Sequence, residues 1–192
     1  MNAPVKTPSL THIHVEPPST GAFRVVPLLS LQPDQVQYYF QTLYSHGTLK
    51  FRFPDIIDPT WSDVIGVIQR MGQGMYLIQR QADESVAAEF TLENFTGRAA
   101  QSHFSTSPES TTKERIAVGR YAAQFTLTRR NELGEYWLDA LYGLTPLSNR
   151  AACIFAIKIG YKRQGILPSG LMVDGKPEDC MISVRTRDED GN

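Results

Sequence analysis

The chain has 192 residues, of which 41% are hydrophobic and 20% are charged, and its formal net charge is −1. This composition indicates a globular protein that can bury a substantial core within one domain. The balanced charge excludes charge-driven binding to nucleic acid or to an anionic membrane. No apolar run approaches the roughly 20 residues of a membrane helix. The first residues lack a secretion-signal pattern, so we expect a cytoplasmic protein.

Residues 1–22 are predicted to form an extended N-terminal arm, outside a single domain of residues 23–192. The segment contains four prolines and few large apolar side chains. It therefore cannot bury enough surface to fold alone. We expect the arm to pack on its own domain, on a second copy of the chain or on a larger assembly. The predicted partners are proteins, and neither nucleic acid nor membrane is expected.

The first half of the domain is predicted to contain one strand, two helices and an antiparallel meander. Pro33 opens the first helix and Pro59 the second, because a proline fits the first helical turn. Short turns join the three later strands, which favours antiparallel pairing. The predicted strands cover residues 23–29, 75–81, 86–95 and 98–105, and the second helix covers residues 58–71.

The second half begins with a long predicted helix and a strand. Thr111 and Glu114 have the spacing of a capping box, which predicts a helix from this point to about Arg130. Alternation of side chains predicts a strand over residues 136–142. The turn-forming residues of 143–146 are expected to end that strand.

After the long helix and its strand, one more helix and two strands are predicted to complete the domain. Residues 149–159 are mostly apolar, so we expect a helix that is buried on most of its circumference. Gly160 is expected to end it in the left-handed conformation. A loop or hairpin is predicted over residues 165–177, and a final strand over 181–187. Two basic side chains are expected on an exposed face of that strand: Arg185 and Arg187.

One stretch of this half resembles a known family. Asn149-x-x-Ala152 followed by Gly160-Tyr161 is similar to the C-terminal half of GNAT acetyltransferases, where the common form is N-x-x-A, a helix and G-F. The segments GLTP at 143–146 and GILP at 165–168 resemble more closely the divergent GNAT-like proteins of bacteriophage genomes. The resemblance covers residues 136–168, and elsewhere the order of elements agrees.

The resemblance implies a fold and a cofactor. The expected fold is mixed α/β (α+β), with a largely antiparallel central sheet flanked by helices. The expected cofactor is acetyl-CoA, and no metal is expected. His12 and His14 are close in sequence, but the third and fourth ligands of a metal site are not nearby. Cys153 and Cys180 are expected to be reduced thiols.

In the family, backbone N–H groups before a helix hold the pyrophosphate of the cofactor, because a helix N-terminus attracts anions. The corresponding hydroxyl residues here are Ser107, Thr111 and Thr112. However, the family pattern Q/R-x-x-G-x-G/A is absent, residues 105–112 include no glycine, and Glu109 and Glu114 add negative charge. The segment is therefore interpreted either as a phosphate site or as an ordinary capped helix start.

Two further family positions concern the thioester. Asn149 matches the asparagine that commonly contacts the cofactor, although it can equally cap its own helix. Seven residues later, many family enzymes carry a tyrosine that protonates the departing thiolate, and this chain has Ala156. Tyr142 and Tyr161 are nearby in sequence, and each either replaces that tyrosine or packs in the core.

A general base for an amine is expected among Glu89, Glu93 and His103. Alternation places Glu89 and Thr91 on one face of their strand, where Glu89 either lines a cleft or meets solvent. His103 lies beside the place where the family's strands separate, and its alternative role is structural.

Two functions follow from these observations. The first is a phage-encoded, acetyl-CoA-dependent N-acetyltransferase with unusual cofactor and catalytic motifs. The second is a non-catalytic structural or assembly component of a bacteriophage particle, located in the host cytoplasm or incorporated in the virion. The absent glycines and Ala156 motivate the second hypothesis.

Overall fold

The computed structural model describes residues 22–44, 60, 63, 65–66, 68, 74–131 and 133–187. The predicted arm and most of the predicted helix 58–71 lie outside the described residues. The division into arm and domain, and the partners of the arm, therefore stay predictions. Within the described part of the chain, no helix has the length and apolar character to cross a bilayer.

A seven-stranded sheet forms the centre of the molecule, with the strand order β1-β2-β3-β4-β5-β7-β6. Neighbouring strands are antiparallel except for the parallel pair β4 and β5. This arrangement confirms the predicted mixed fold with a largely antiparallel sheet. The strands are β1 (Phe23–Pro27), β2 (Met75–Arg80), β3 (Val86–Thr96), β4 (Ala99–Thr106), β5 (Ala140–Pro146), β6 (Lys162–Val173) and β7 (Lys176–Thr186).

Helices cover both faces of the sheet, which buries an apolar core on each side. The described helices are α1 (Pro33–Tyr44), α2 (Thr112–Thr128) and α3 (Arg150–Lys158). Successive side chains of a strand point to opposite faces, so Leu77 of β2 joins the core under α1 while Ile78 joins the core under α2. The central strands are thus held from both sides.

Helices α2 and α3 touch each other at Gly119. A Cβ atom at this position would lie 2.7 Å from Cζ of Phe155 and 2.8 Å from Cγ2 of Ile159. These distances are shorter than a Cβ atom tolerates, so the approach of the two helices depends on the missing side chain. Helix α2 thereby sets the position of α3 beside the sheet.

The strand predicted over residues 136–142 is wrong in its bounds. Strand β5 begins at Ala140 and continues through Gly143 to Pro146. Tyr136 instead forms an isolated bridge with Arg130 and lies under the guanidinium groups of Arg130 and Arg187, each 4.0 Å from its ring centroid. The alternation in this segment reflects aromatic side chains that pack against arginines rather than a strand.

Two burial predictions are also wrong. Helix α3 has no fully buried residue, and Ile154 and Ile157 are 56% and 46% exposed. It lies at the edge of the molecule, so its apolar composition does not mean a central position. Conversely, Arg185 is buried, because its Nη1 donates a 2.7 Å hydrogen bond to the carbonyl of Ile159.

The C-terminal strands form the hairpin alternative that was predicted for residues 165–177. Asp174 and Gly175 join β6 to β7, and their φ angles are 49° and 73°. Two successive positive φ angles are typical of the tight turn that matches the twist of a hairpin. The left-handed conformation predicted for Gly160 is confirmed, with φ of 100°.

Candidate functional site

The candidate site is the gap between β4 and β5. The two strands pair from Ala99–Ala140 to Gln101–Tyr142 and form no ladder pair with each other beyond that point. Strand β4 continues to Thr106 and β5 to Pro146. Their facing edges therefore present backbone N–H and C=O groups to the gap, where an extended ligand can form hydrogen bonds.

A cavity of about 450 Å³ occupies this gap. Its walls come from the separated halves of β4 and β5, from the first turn of α2, from one side of α3 along its length, and from the end of α1. We call it the cleft. Lining residues used below are Tyr44, His103, Ser105, Arg115, Asn149 and Ala156.

The positive end of the cleft is Arg115, in the first turn of α2. Its Nη2 donates to the carbonyl of Pro108 at 2.9 Å, while its buried Nε has no hydrogen-bond partner among the described residues. The first N–H groups of a helix also lack partners within the helix, and they favour an anion. A guanidinium with an unused donor beside a helix N-terminus fits a phosphate group.

The negative charge of Glu114 is directed away from this end. Its carboxylate lies 2.5 Å from Nε of Arg80, and that hydrogen bond lowers the pKa of Glu114. Because the carboxylate of Glu114 is paired with Arg80, we do not expect it to repel a pyrophosphate. Arg80 also donates to Oγ of Ser110 at 2.8 Å, which fixes the loop before α2.

The three hydroxyl residues predicted for the cofactor occupy the helix start, without lining the cleft. Oγ1 of Thr111 accepts from the N–H of Glu114 at 3.2 Å and caps α2, and the exposed Thr112 is the first residue of the helix. Ser107 is 1% exposed, and its N–H donates to the carbonyl of Ala87 at 2.8 Å. This geometry is that of a capped helix, and the cofactor contacts of these residues stay predictions.

Asn149 combines the two roles that the sequence left open. Its Oδ1 accepts from the N–H of Ala152 at 3.1 Å, so it caps α3. Its Nδ2 has no hydrogen-bond partner among the described residues, and the residue lines the cleft. An asparagine amide can accept and donate at once. The cap therefore leaves the amide donor available to a ligand.

The two tyrosines that could replace a proton donor at the position of Ala156 both have hydrogen-bonded hydroxyls. Tyr161 lines the cleft, but its hydroxyl is paired with Oγ of Ser102 at 2.7 Å, and burial raises its pKa well above the usual phenol value. Tyr142 donates to the carbonyl of Asn94 at 2.9 Å, and burial also raises its pKa. Both hydroxyls are thus hydrogen-bonded to other residues, and burial favours the protonated form of each phenol.

Glu89 is fully buried, so it neither meets solvent nor lines the cleft directly. Its Oε2 accepts from the hydroxyl of Tyr44 at 3.2 Å, and its Oε1 accepts from Thr91. The bond from Thr91 agrees with the predicted shared face of these two residues. The Tyr44 hydroxyl is also hydrogen-bonded at 2.8 Å to Oγ of Ser105. Polar atoms thus connect the buried carboxylate with the cleft.

His103 lines the cleft, but its Nε2 is turned towards Glu93. The two atoms Nε2 and Oε1 of Glu93 are 2.5 Å apart, and this ion-pair contact is poorly aligned for a hydrogen bond. This ring nitrogen therefore lies against a carboxylate without a hydrogen bond among the described residues. The assignment of His103 as a base stays a prediction.

Solved structures of acetyltransferases share the fold of this chain. A GNAT family acetyltransferase from Bacillus anthracis has a TM-score of 0.68 and 14% identity, over 87% of this chain and 96% of that chain. Spermidine N-acetyltransferase from Vibrio cholerae, in complex with CoA and spermine, has a TM-score of 0.67 and 12% identity, over 88% and 98%. The fold is that of the GNAT acetyltransferases. No protein-family model and no curated protein sequence matches the chain.

The GNAT fold is also found in the microcin C7 self-immunity acetyltransferase MccE, in complex with acetyl-CoA and AMP. Its TM-score is 0.66 and its identity 10%, over 87% of this chain and 93% of that chain. Identities this low show a common fold, and they leave the roles of individual residues to be argued from the cleft. Among the described residues, no group of three or more His, Cys, Asp or Glu side chains could hold a metal ion.

Sequence reasoning missed the roles of three residues of this cleft. Arg115 carried a signal, because a basic side chain in the first turn of a helix opposes the helix dipole and so calls for another reason to be there. Tyr44 and Ser105 carried no such signal in the sequence. They meet only because α1 crosses the sheet, and the Tyr44–Ser105 contact spans 61 residues of sequence.

Proposed function

We propose that the protein is an N-acetyltransferase that uses acetyl-CoA and an amine acceptor. The observation that carries the proposal is the gap between β4 and β5, with Arg115 at one end and buried polar groups on its α1 side. Solved structures with this fold include complexes with CoA and spermine and with acetyl-CoA, which supports the same cofactor here.

The residues present fit the cofactor at three points. Arg115 and the first N–H groups of α2 would hold the pyrophosphate, because both favour an anion. The unpaired edges of β4 and β5 would hold the amide-containing arm by backbone hydrogen bonds. The Nδ2 of Asn149 would donate to the same arm or to a phosphate, while its Oδ1 keeps α3 capped.

The bound cofactor supplies an activated acyl carbon, whose bond to sulfur breaks when an amine nitrogen bonds to it. The chain has to orient the amine and accept its proton. It does not have to protonate the sulfur, since a thiolate can leave and take its proton from solvent. Ala156 in the cleft and the hydrogen-bonded hydroxyls of Tyr142 and Tyr161 are consistent with such a departure.

The amine approaches from the α1 side of the sheet in this proposal. Glu89, Thr91 and Glu93 alternate on this face of β3 and pair with Ser105, His103 and Gln101 of β4. The face is therefore polar and includes two carboxylates. Glu89 is buried and Glu93 is partly exposed, so the negative charge near this face favours a cationic acceptor such as a polyamine, and spermine is a suitable first probe.

Calorimetric titration with CoA and with acetyl-CoA tests the cofactor site. We expect a micromolar dissociation constant for the wild type and binding at least tenfold weaker for Arg115→Gln, because a charge-assisted contact to phosphate is lost. Lys113→Gln is the matched control, since Lys113 is an exposed cation in the same helical turn and does not line the cleft. Absence of binding at millimolar CoA would contradict the proposal.

A second candidate function is favoured by Ala156 and by the glycine-free segment 105–112. In this proposal the chain is a non-catalytic GNAT-fold component of a bacteriophage particle, and residues 1–22 bind a second copy or another particle protein. It predicts no CoA binding and a change of oligomeric state on removal of residues 1–22. Light scattering of the full chain and of the truncated chain would measure the latter.

A further inference from the structure

Glu89 is a buried carboxylate in the middle of the sheet. It is 0% exposed, and it lies on β3 beneath the end of α1. Ionised carboxylates are rarely buried unless hydrogen bonds or opposite charges compensate for lost hydration. The hydroxyls of Tyr44 and Thr91 both reach its oxygens. A group buried at such cost beside a ligand cleft is a candidate for chemistry.

Tyr44 and Ser105 connect this carboxylate with the cleft. The Tyr44 oxygen lies 3.2 Å from Oε2 of Glu89 and 2.8 Å from Oγ of Ser105, and both hydroxyl residues line the cleft. A phenol has one proton. In the structure the Tyr44 hydroxyl is placed to donate to Glu89 and to Ser105, and its one proton serves one of them at a time. When that proton is donated to Glu89, the rotatable hydroxyl of Ser105 can turn to donate to the tyrosine oxygen.

The register of the sheet explains this alignment. Glu89 and Ser105 are directly paired between β3 and β4, so their side chains stand on the same face. Tyr44 is the last residue of α1 and 9% exposed, and its ring packs against Phe40 with centroids 5.6 Å apart. The hydroxyl of Tyr44 is thereby held above the paired residues.

We propose that Ser105 and Tyr44 form a proton relay that carries the proton of the acceptor amine to Glu89. The inference rests on the proposed acetyl transfer. As the amine nitrogen bonds to the acyl carbon and the carbon–sulfur bond breaks, the nitrogen loses a proton to Oγ of Ser105. The serine proton passes to the oxygen of Tyr44, and the tyrosine proton passes to Oε2 of Glu89. Glu89 ends protonated and returns this proton to solvent along the same path.

The geometry favours this route over His103. Nε2 of His103 lies 2.5 Å from Oε1 of Glu93, whereas Ser105 lines the cleft and is hydrogen-bonded to Tyr44. A relay of hydroxyls also explains why a base can be completely buried. The proton is transferred through the hydroxyl groups, so the carboxylate does not have to contact the amine.

Tyr44→Phe is the decisive variant, because it removes the relay oxygen and keeps the ring. Tyr38→Phe is the matched control, since Tyr38 lies on the same helix and is 66% exposed. With saturating acetyl-CoA and spermine or hydroxylamine as acceptor, we expect kcat of Tyr44→Phe to fall about 100-fold. Ser105→Ala is expected to show a similar loss, with CoA affinity within twofold of wild type in both variants.

The pH profile separates a relay from a structural role. Without the relay, solvent hydroxide has to take the proton, so the rate of Tyr44→Phe should rise with pH where the wild-type rate is constant. A second readout needs no turnover. In proton NMR of the protein without ligand, the Tyr44 hydroxyl bonded to a carboxylate should give a downfield resonance, which is lost in Tyr44→Phe and displaced in Glu89→Gln.

The outcomes are distinguishable. Wild-type rates and pH profiles in Tyr44→Phe and Ser105→Ala would overturn the relay, and so would an absent hydroxyl resonance. A wild type that binds acetyl-CoA but transfers to neither amine would overturn the relay and leave the cofactor site intact. A wild type that binds no CoA would overturn the proposed function and the relay together. If Tyr44→Phe unfolds, Ser105→Ala decides, because Ser105 is only half-buried.

Discussion

The guanidinium of Arg185 donates a 2.7 Å hydrogen bond to the carbonyl of Ile159, the residue that follows the last turn of α3. Arg185 is also 3.5 Å from the carbonyl of Arg120 in α2. One buried cation from β7 therefore links the C-terminal end of α3 with the middle of α2. Cations near a helix C-terminus stabilise its unpaired carbonyl groups.

Replacement of that cation should destabilise the protein. We expect Arg185→Met to lower the free energy of unfolding by about 2 kcal/mol, because a charge-assisted hydrogen bond is lost and a carbonyl is left buried. Urea denaturation measures the change, and Arg163→Met on the exposed surface of β6 is the control. Equal midpoints for the two variants would show that the bond contributes nothing.

Gly119→Ala should destabilise the protein although alanine favours a helix. In an open helix the exchange stabilises by about 0.5–1 kcal/mol. Here the new methyl group would meet Phe155 at 2.7 Å, and overpacking costs about 1–3 kcal/mol. Thermal unfolding gives the sign. Ala117→Gly, at an exposed position of α2, measures the propensity contribution alone, and a net stabilisation in Gly119→Ala would refute the close contact.

The pair of Arg80 and Glu114 should make stability depend on pH. The hydrogen bond from Arg80 lowers the pKa of Glu114 below its ordinary value of 4.5. A lowered pKa in the folded state stabilises it above the unfolded pKa, and this contribution is lost as the pH falls through the folded value. Wild type should therefore be more stable than Glu114→Gln at pH 7 and should lose that advantage below about pH 4.

Urea denaturation at several pH values would follow this difference. Glu109→Gln is the control, because Glu109 is exposed in the loop before α2. A difference between wild type and Glu114→Gln that stays constant from pH 7 to pH 3 would show that the carboxylate is not stabilised by Arg80.

Asn149→Ser separates the cap of α3 from the contact with the cofactor. Serine is as good a cap as asparagine, so the melting temperature should stay within about 1–2 °C of wild type. The amide donor is lost, and we expect CoA binding to weaken about fivefold, as suits one neutral hydrogen bond. Calorimetry checks the affinity. Unchanged binding in a folded variant would assign Asn149 to the cap alone.

The order of the described elements could be predicted from the sequence because it depends on local patterns. The capping box at Thr111 and the alternation along β3 act between near neighbours, and both predictions hold. The apolar composition of α3 led to a wrong prediction of its burial, because Ile154 and Ile157 are exposed. Composition does not show whether another element covers a face of a helix. The aromatic residues 136–137 looked like strand residues, since stacking on arginine leaves no trace in periodicity.

The site was less predictable than the fold for a related reason. Asn149 could be found because its neighbours in sequence carry a family pattern. The contact between Tyr44 and Glu89 joins residues 45 positions apart, and its existence depends on how α1 crosses the sheet. The burial of Glu89 likewise depends on the helix above it. Neither the crossing of α1 over the sheet nor the burial of Glu89 can be inferred from local sequence patterns.

The short parallel ladder between β4 and β5 also has a consequence for folding. Antiparallel neighbours on either side, such as β3–β4 and β6–β7, are close in sequence and pay little loop entropy. The seam from Ala99–Ala140 to Gln101–Tyr142 has to close a loop that contains all of α2. We expect it to form late and to open first. A ligand bound across the gap would join β4 to β5 in place of the missing ladder pairs. The melting temperature of the protein would therefore rise with the ligand concentration.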